Sequence, residues 1–147
     1  MARRSNAERS AETRTKLLDA TVDCLVELGW AGTSTTEVVR RAGVSRGAQV
    51  HHFPTKDDLV LAAVEHLMLR RVEEFADAFA ELAPADRTHA AALELLWTRC
   101  FGANFYAWLE LAVAARSDAL LYGRLAELEK RFWEAALETF RSLFPEA

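Results

Sequence analysis

Apolar side chains recur at helical spacing along almost the whole chain. Only three prolines and six glycines interrupt the pattern. Between them the hydrophobic positions return every three or four residues, which places them on one face of an α-helix. The first of these runs extends from about Ser10 to Leu28, and Gly29 supplies a C-terminal stop. The pattern predicts an all-α protein.

Two short helices are predicted between residues 34 and 53, and local signals mark the first of them. Ser34 and Glu37 have the spacing of a capping box, in which the serine side chain caps the helix and the glutamate reaches back to the N–H of the cap residue. The helix that they begin covers Thr35 to Ala42. Gly43 can adopt the left-handed conformation that ends it.

The second short helix follows after a tight turn. Ser45 can cap its N-terminus, and Pro54 ends it because the residue before a proline is pushed out of helical geometry. The helix therefore covers Arg46 to His52. A helix, a tight turn with glycine and a second helix allow the second helix to lie in the major groove of DNA while the first contacts the backbone. Residues 34–53 are predicted to form a helix-turn-helix.

Longer helices are predicted in the second part of the chain. The segment Thr55–Asp58 has the composition of an N-terminal cap, and the helix that begins near residue 56 continues to about Phe79. A loop over Pro84–Thr88 separates it from two apolar helices with Gly102 between them. These helices carry few charges, so we expect them to be buried on most sides.

The last predicted helix, Asp118–Phe144, has an apolar face that covers about half of its circumference. One packing surface requires a narrower stripe, so this helix is expected to have two partners. Trp133, Leu137, Phe140 and Phe144 are the candidates for a dimer interface, or for contact with a further segment of the same protein.

Charge is distributed unevenly along the chain. The net charge is −4, but residues 1–56 hold nine Lys and Arg against six Asp and Glu, whereas residues 57–147 hold nine against sixteen. The basic part comes first, and its first fourteen residues include four arginines. These arginines either follow DNA phosphates or form a solvated tail.

Several classes of function lack support in the sequence. No stretch reaches the roughly 18 uncharged residues of a membrane span, and the N-terminus lacks the apolar run of a signal peptide, so a cytoplasmic location is expected. Cys24 and Cys100 have neither CxxC nor His/Cys spacing, so no metal, cofactor or disulfide is predicted. The sequence has no glycine-rich phosphate loop, GxSxG elbow or HExxH helix, so an enzyme is not expected.

Three segments in the first part of the chain carry a family resemblance. TSTTEVV (33–39), AGVSRGA (42–48) and HFPTKDDL (52–59) follow one another in the order and spacing of a known DNA-binding domain. This part of the chain resembles the N-terminal domain of the tetracycline-repressor (TetR) family, and the similarity covers roughly Thr15 to Leu61. Beyond Leu61 only the helical architecture is similar.

The resemblance implies an organisation and a function. It implies a three-helix DNA-binding head over residues 1–56, and a helical body over residues 57–147 for ligand sensing and dimerisation. The expected function is a ligand-responsive repressor that binds a palindromic operator as a homodimer and responds to a largely apolar small-molecule effector. Family members usually extend past the position of Ala147, so this chain is expected to be shorter than usual. The alternative is a helical ligand-binding or interaction protein whose head no longer binds DNA.

The resemblance also assigns DNA contacts by position. Thr35 and Thr36 would donate hydrogen bonds to phosphates at the start of the second helix, unless they only cap it. Lys56 matches a position that holds a phosphate through a charge-assisted bond, with a plain solvated lysine as the alternative. Arg46 is the candidate for guanine O6 and N7 or for a phosphate. The residues predicted to contact DNA are Thr35, Thr36, Arg46, Gly47, Ala48, Gln49, His51, His52 and Lys56.

The third helix departs from the family pattern. Where the family commonly has Thr-Leu-Tyr-Tyr-His-Phe, this chain reads AQVHHF over residues 48–53. Gln49 has the donor and acceptor that read adenine but occupies a commonly apolar position, and Val50 replaces an exposed tyrosine. Either of the two can face the core. His51 and His52 are candidates for phosphate or base contacts that strengthen at lower pH, with local packing as the alternative for His52.

Aromatic residues concentrate in the second part of the chain. The candidate contacts for an apolar effector are Met68, Trp97, Phe101, Phe105, Tyr106 and Trp108. The same composition is also typical of an ordinary hydrophobic core.

Overall fold

Helices are the main regular elements in the part of the chain that the structure describes. This structure is a computed structural model, and it describes residues 5–100 and 103–144. Over these ranges no strand is present, and no helix is long and apolar enough to cross a membrane. The α-helices are α1 (Asn6–Gly32), α2 (Thr35–Ala42), α3 (Arg46–His52), α4 (Lys56–Ala80), α5 (His89–Cys100), α6 (Ala103–Ala115) and α7 (Ala119–Leu143). The all-α prediction is confirmed.

The first helix begins earlier than predicted. Ser5 and Glu8 form a complete capping box, in which the Ser5 hydroxyl accepts from the Glu8 N–H (3.1 Å) and the Glu8 carboxylate accepts from the Ser5 N–H (2.6 Å). The helix therefore begins at Asn6, and the predicted start at Ser10 is wrong. At Gly29 the backbone takes a φ of 68°, which interrupts the helix at the predicted stop.

The two short helices have the predicted bounds, but one of their caps differs. The Ser34 hydroxyl accepts from the Glu37 N–H at 3.2 Å, as expected. The Glu37 carboxylate does not return the bond. It accepts from Arg40 (2.6 Å) and Arg41 (2.8 Å) instead, and Arg41 also binds Glu27 of α1 at 2.7 Å. The reciprocal half of the predicted capping box is wrong, because three charge-assisted bonds from two arginines outcompete one backbone amide.

This ion cluster holds α2 against α1. Hydrogen bonds from Arg40 and then Arg41 lower the pKa of Glu37 to about 2. The same contacts leave the guanidinium of Arg40 mostly exposed.

The predicted turn and cap between α2 and α3 are present. Gly43 takes a φ of 64° after α2, and the Ser45 hydroxyl accepts from the Ala48 N–H at 3.1 Å.

The head and the body share one hydrophobic core. Buried side chains form a continuous cluster that runs from the helix-turn-helix through α1 and α4 into α6 and α7. It includes Leu17, Leu18, Val22 and Leu25 of α1, Val38 of α2, Phe53 after α3, Leu59, Val60, Val64 and Leu67 of α4, Ala107 and Leu111 of α6, and Leu121, Leu125 and Leu128 of α7. The division of the chain into a head and a body near residue 56 therefore stays a prediction.

A second, smaller cluster lies at the end of α4. Phe75 and Phe79 pack there with Ala92 of α5. Phe144 joins them, with its ring 5.2 Å from that of Phe79 and stacked 4.4 Å from that of His89. Phe144 was expected at a dimer interface, but in this structure it packs within its own chain.

Candidate nucleic-acid interface

The outer face of α3 carries four exposed residues. Arg46, Gly47, Val50 and His51 occupy positions i, i+1, i+4 and i+5, which lie on one side of a helix. Val50 keeps 45% of its surface exposed. Because Ser45 caps this helix and Phe53 after it is buried, the four residues stand on an anchored element.

Gln49 faces the opposite way. Its side chain is fully buried, and its Nε2 donates to the carbonyl of Phe53. Its Oε1 has no hydrogen-bond partner among the described residues. The prediction that Gln49 reads adenine is therefore wrong for this structure, and Val50 is the residue that faces outward.

Replacing Gln49 by leucine is expected to leave DNA binding unchanged. The change removes one hydrogen bond, but it also removes a buried carbonyl without a partner. Since the two effects are each about 1–3 kcal/mol, the free energy of unfolding should stay level or rise slightly. Urea unfolding and operator titration measure both quantities.

Gln49→Glu is the control for this experiment. It keeps the shape of the side chain but places a charge in the core, so it should destabilise the protein strongly. A tenfold loss of operator affinity in a stable Gln49→Leu protein would instead mean that Gln49 contacts a base.

The start of α2 lies on the surface close to α3 in sequence. Thr36 is exposed and Thr35 half-buried, while the cap itself is provided by Ser34. The alternative that these threonines only cap the helix is thereby weakened. Free N–H groups at a helix N-terminus attract phosphate.

Lys56 does not point away from the protein. Its Nζ donates to the carbonyl of Trp30 at 2.6 Å and lies 4.3 Å from the centre of the Trp30 ring. Burial lowers the pKa of Lys56. We therefore revise its role from a phosphate contact to a link between the end of α1 and the start of α4.

The two histidines of α3 differ in environment. His51 is exposed, whereas His52 is half-buried with its ring 6.2 Å from that of Phe53. Their rings meet edge to face at 5.3 Å. The alternative of local packing fits His52, and His51 remains the candidate for a DNA contact.

The predicted effector contacts are only partly brought together. Phe105 and Trp108 of α6 have ring centres 5.2 Å apart, and Trp108 donates to Glu129 of α7 at 3.1 Å. Trp97 and Tyr106 are mostly exposed, which corrects their assignment to an enclosed pocket. Of the other two, Met68 is half-buried against the main core, and Phe101 lies outside the described residues.

A groove that the sequence did not indicate lies elsewhere. It measures about 510 Å³, lies between α4 and α7, and is crossed by two ion pairs, Asp58–Arg124 and Glu65–Arg131, each at 2.7 Å. Sequence reasoning missed it because each pair joins residues 66 positions apart.

Apolar side chains remain exposed on α7. Trp133, Leu137 and Phe140 keep 62%, 52% and 39% of their surface accessible. They are spaced i, i+4 and i+7, so they share one side of the helix. This agrees with the expectation that α7 has a second apolar surface.

Known DNA-binding regulators are similar to this chain in sequence. The model of the family described as bacterial regulatory proteins, tetR family, matches residues 17–63. The HTH-type transcriptional regulator CymR of Pseudomonas putida is 41% identical over 119 residues, which cover 81% of this chain and 59% of that protein. An uncharacterized HTH-type transcriptional regulator of Mycobacterium tuberculosis is 39% identical over 119 residues, 80% of this chain and 60% of that protein. The chain thus spans about 60% of the length of these curated relatives.

Solved structures show the same fold. A member of the TetR family from Streptomyces coelicolor A3 superposes with a TM-score of 0.59 at 26% identity, over 84% of this chain and 75% of that one. The multidrug binding protein EbrR, solved with imidazole, gives a TM-score of 0.57 at 26% identity, over 80% of this chain and 66% of that one.

Proposed function

The chain belongs to the tetR family of bacterial regulatory proteins, and on this premise we propose that it regulates transcription by binding an operator in double-stranded DNA. The observation that carries the proposal is the split of α3 into two faces. Gln49 is buried, while Arg46, Gly47, Val50 and His51 are exposed. A helix with a fixed inner face and an exposed basic outer face fits the major groove.

Each exposed residue has a distinct task in this proposal. Arg46 binds the O6 and N7 of a guanine, and Gly47 allows the backbone to approach the base edges. Val50 contacts the methyl group of a thymine. His51 contacts a flanking base or phosphate, and Thr36 binds phosphate at the start of α2.

Selection from a pool of random DNA sequences tests the proposal. We expect a palindromic site to be enriched, because two heads about 34 Å apart read two half-sites. Affinity for that site should fall steeply as salt rises, since counterions released from phosphates drive binding. If folded protein enriches no site at low salt, it is an interaction or ligand-binding protein instead.

Dimerisation and effector response are part of the same proposal. The exposed Trp133, Leu137 and Phe140 support a homodimer through α7, which sedimentation of the full gene product tests. A largely apolar effector is supported by Phe105 and Trp108 on α6. EbrR is described as a multidrug binding protein, so a thermal-shift screen of apolar compounds is the natural search. Such a repressor acts in the cytoplasm, where its operator is found.

Val50 is expected to recognise thymine by its methyl group. Replacing the contacted thymine by deoxyuridine removes one methyl, and should weaken binding by about 0.8 kcal/mol, or roughly fourfold. In the Val50→Ala protein the same replacement should have no further effect. Fluorescence anisotropy with operators that carry one deoxyuridine at a time measures this.

Val113→Ala provides the matched control, because Val113 is an exposed valine on α6, away from the DNA-binding face. It should respond to each deoxyuridine as the parent does. Equal losses in the parent and in Val50→Ala at every thymine would rule out the contact.

A further inference from the structure

Three helices meet where α1 ends and α4 begins. Glu110 of α6 accepts a hydrogen bond from the backbone N–H of Trp30 at 2.7 Å. It reaches this position beside Gly29, where a Cβ atom would lie only 2.9 Å from the Glu110 Oε2. The glycine is therefore required for its φ of 68°, and its lack of a Cβ leaves room for the carboxylate.

The backbone carbonyl of Trp30 binds the side chain of a lysine. The carbonyl accepts from Lys56 Nζ at 2.6 Å, and the ammonium also lies over the indole ring. Trp30 thus donates to a carboxylate from α6 and accepts from an ammonium at the start of α4. All three side chains are half-buried, which strengthens these interactions relative to exposed ones.

A second body helix holds the same turn of α4. Arg124 of α7 binds Asp58 Oδ1 at 2.7 Å. The other oxygen of Asp58 accepts from the N–H (3.1 Å) and hydroxyl (2.7 Å) of Thr55, the residue that caps α4. Lys56 and Asp58 are two positions apart in this turn: Asp58 binds α7 directly, and Lys56 is joined to α6 through Trp30.

This turn controls where α3 points. Only residues 53–55 separate the end of α3 from the start of α4, so the recognition helix follows the first turn of α4 closely. The apolar packing of the shared core is not directional, whereas hydrogen bonds and ion pairs hold their partners in a defined geometry. Two such links, to α6 and to α7, therefore fix the angle of this turn against the core.

We propose that the links Glu110–Trp30–Lys56 and Arg124–Asp58 form a two-point clamp that sets the orientation of α3 relative to the body. Glu110 and Arg124 are positioning residues: they touch no DNA and act through the first turn of α4. The inference rests on the proposed function, since it concerns how a dimer presents two recognition helices to one operator. A partly exposed ion pair such as Arg124–Asp58 contributes little to folding stability, so we expect the loss of Arg124 to act on DNA binding.

The clamp is tested by the spacing between half-sites. The selected operator and versions with one base pair added or removed between the half-sites are titrated with the parent, Glu110→Ala and Arg124→Ala. Both variants should bind the selected operator about tenfold more weakly. They should also discriminate less between the spacings, because their heads are no longer held at one angle. A purely structural defect would not relax the spacing preference.

Conservative and matched variants complete the design. Glu110→Gln keeps an acceptor for the Trp30 N–H and Arg124→Lys keeps the charge, so both should retain most of the affinity and the spacing preference. Arg131→Ala breaks the neighbouring pair with Glu65 between the same two helices, but away from the first turn of α4, and should bind as the parent does. The melting temperatures of Arg124→Ala, Arg124→Lys and Arg131→Ala should stay within about 3 °C of the parent, because these variants change only partly exposed ion pairs.

Each result decides the proposal. It is overturned if Glu110→Ala and Arg124→Ala bind all spacings as the parent does, or if Arg131→Ala has the same effect as Arg124→Ala. If Glu110→Ala is too unstable to assay, the comparison of Arg124→Ala with Arg131→Ala decides the proposal. If the parent itself enriches no operator, the proposed function fails and the clamp proposal fails with it.

Discussion

Arg46→Ala is expected to reduce the affinity for the selected operator by about tenfold per half-site, and by about a hundredfold for the palindrome, since a bidentate contact with guanine contributes about 1–3 kcal/mol. Arg46 is the first residue of α3 and is exposed. The backbone of the next residue, Gly47, is open: even a Cβ atom at this position would have no neighbour nearer than Ser45 Oγ, at 3.9 Å. The backbone can therefore approach the base edges and bring the guanidinium within reach.

Competition titrations at constant salt distinguish a base contact from a phosphate contact. If Arg46 reads guanine, Arg46→Ala should lose affinity for the operator but little for unrelated DNA, and replacing that guanine by 7-deazaguanine should no longer matter. Arg46→Lys keeps the charge without the bidentate geometry, and should recover nonspecific binding but not selectivity.

Arg40→Ala is the comparison variant, because Arg40 is also an exposed arginine of the helix-turn-helix. Arg40→Ala removes a positive charge, so any loss of affinity in this variant should be the same for the operator and for unrelated DNA. An Arg46→Ala protein that loses equal affinity for operator and unrelated DNA would place Arg46 on a phosphate.

The parts of the fold that local signals specify were predictable from the sequence. The bounds of α2 and α3 follow from Ser34, Gly43, Ser45 and Pro54, whose effects act within one helical turn. The start of α1 has an equally local signal, the capping box of Ser5 and Glu8, and was within reach of the same reasoning. Arg40 and Arg41, which bind the Glu37 carboxylate, lie in the next turn of α2.

The orientation of α3 required the tertiary structure. In a helix of seven residues, the sequence pattern does not determine which of Gln49 and Val50 faces inward, because both polar and apolar residues occur on each side. Contact with the rest of the head decides it. The role of Lys56 could not be predicted for a similar reason. Its partner, Trp30, is 26 positions away, and Glu110, which binds the N–H of Trp30, is 80 positions from Trp30.

The effector contacts were the least predictable. The segment that forms α6 is apolar on most sides, so its composition does not show which aromatic rings face α7 and which face solvent. The structure pairs Phe105 with Trp108 and leaves Tyr106 exposed. Aromatic content indicates that a helix is buried on some side, whereas the packing of its neighbours determines which side.

Leu25→Ala is expected to destabilise the head and the body together. Leu25 is fully buried in the core that both parts share. Loss of its side chain leaves a cavity and should cost about 2–5 kcal/mol. For a chain of this size each kcal/mol lowers the melting temperature by about 2–4 °C, so a decrease of about 10 °C is expected. Leu93→Ala, which changes a leucine that is 67% exposed, should have almost no effect.

The same experiment tests whether the shared core makes one cooperative unit. Fluorine NMR of protein labelled with 5-fluorotryptophan resolves the four tryptophans, with Trp30 reporting on the head and Trp108 on the body. Because side chains from both parts pack in one cluster, we expect the two native signals to disappear at the same temperature, in the parent and in Leu25→Ala. Earlier loss of the Trp30 signal would mean that the head unfolds independently, and that the boundary near residue 56 separates two domains despite their common core.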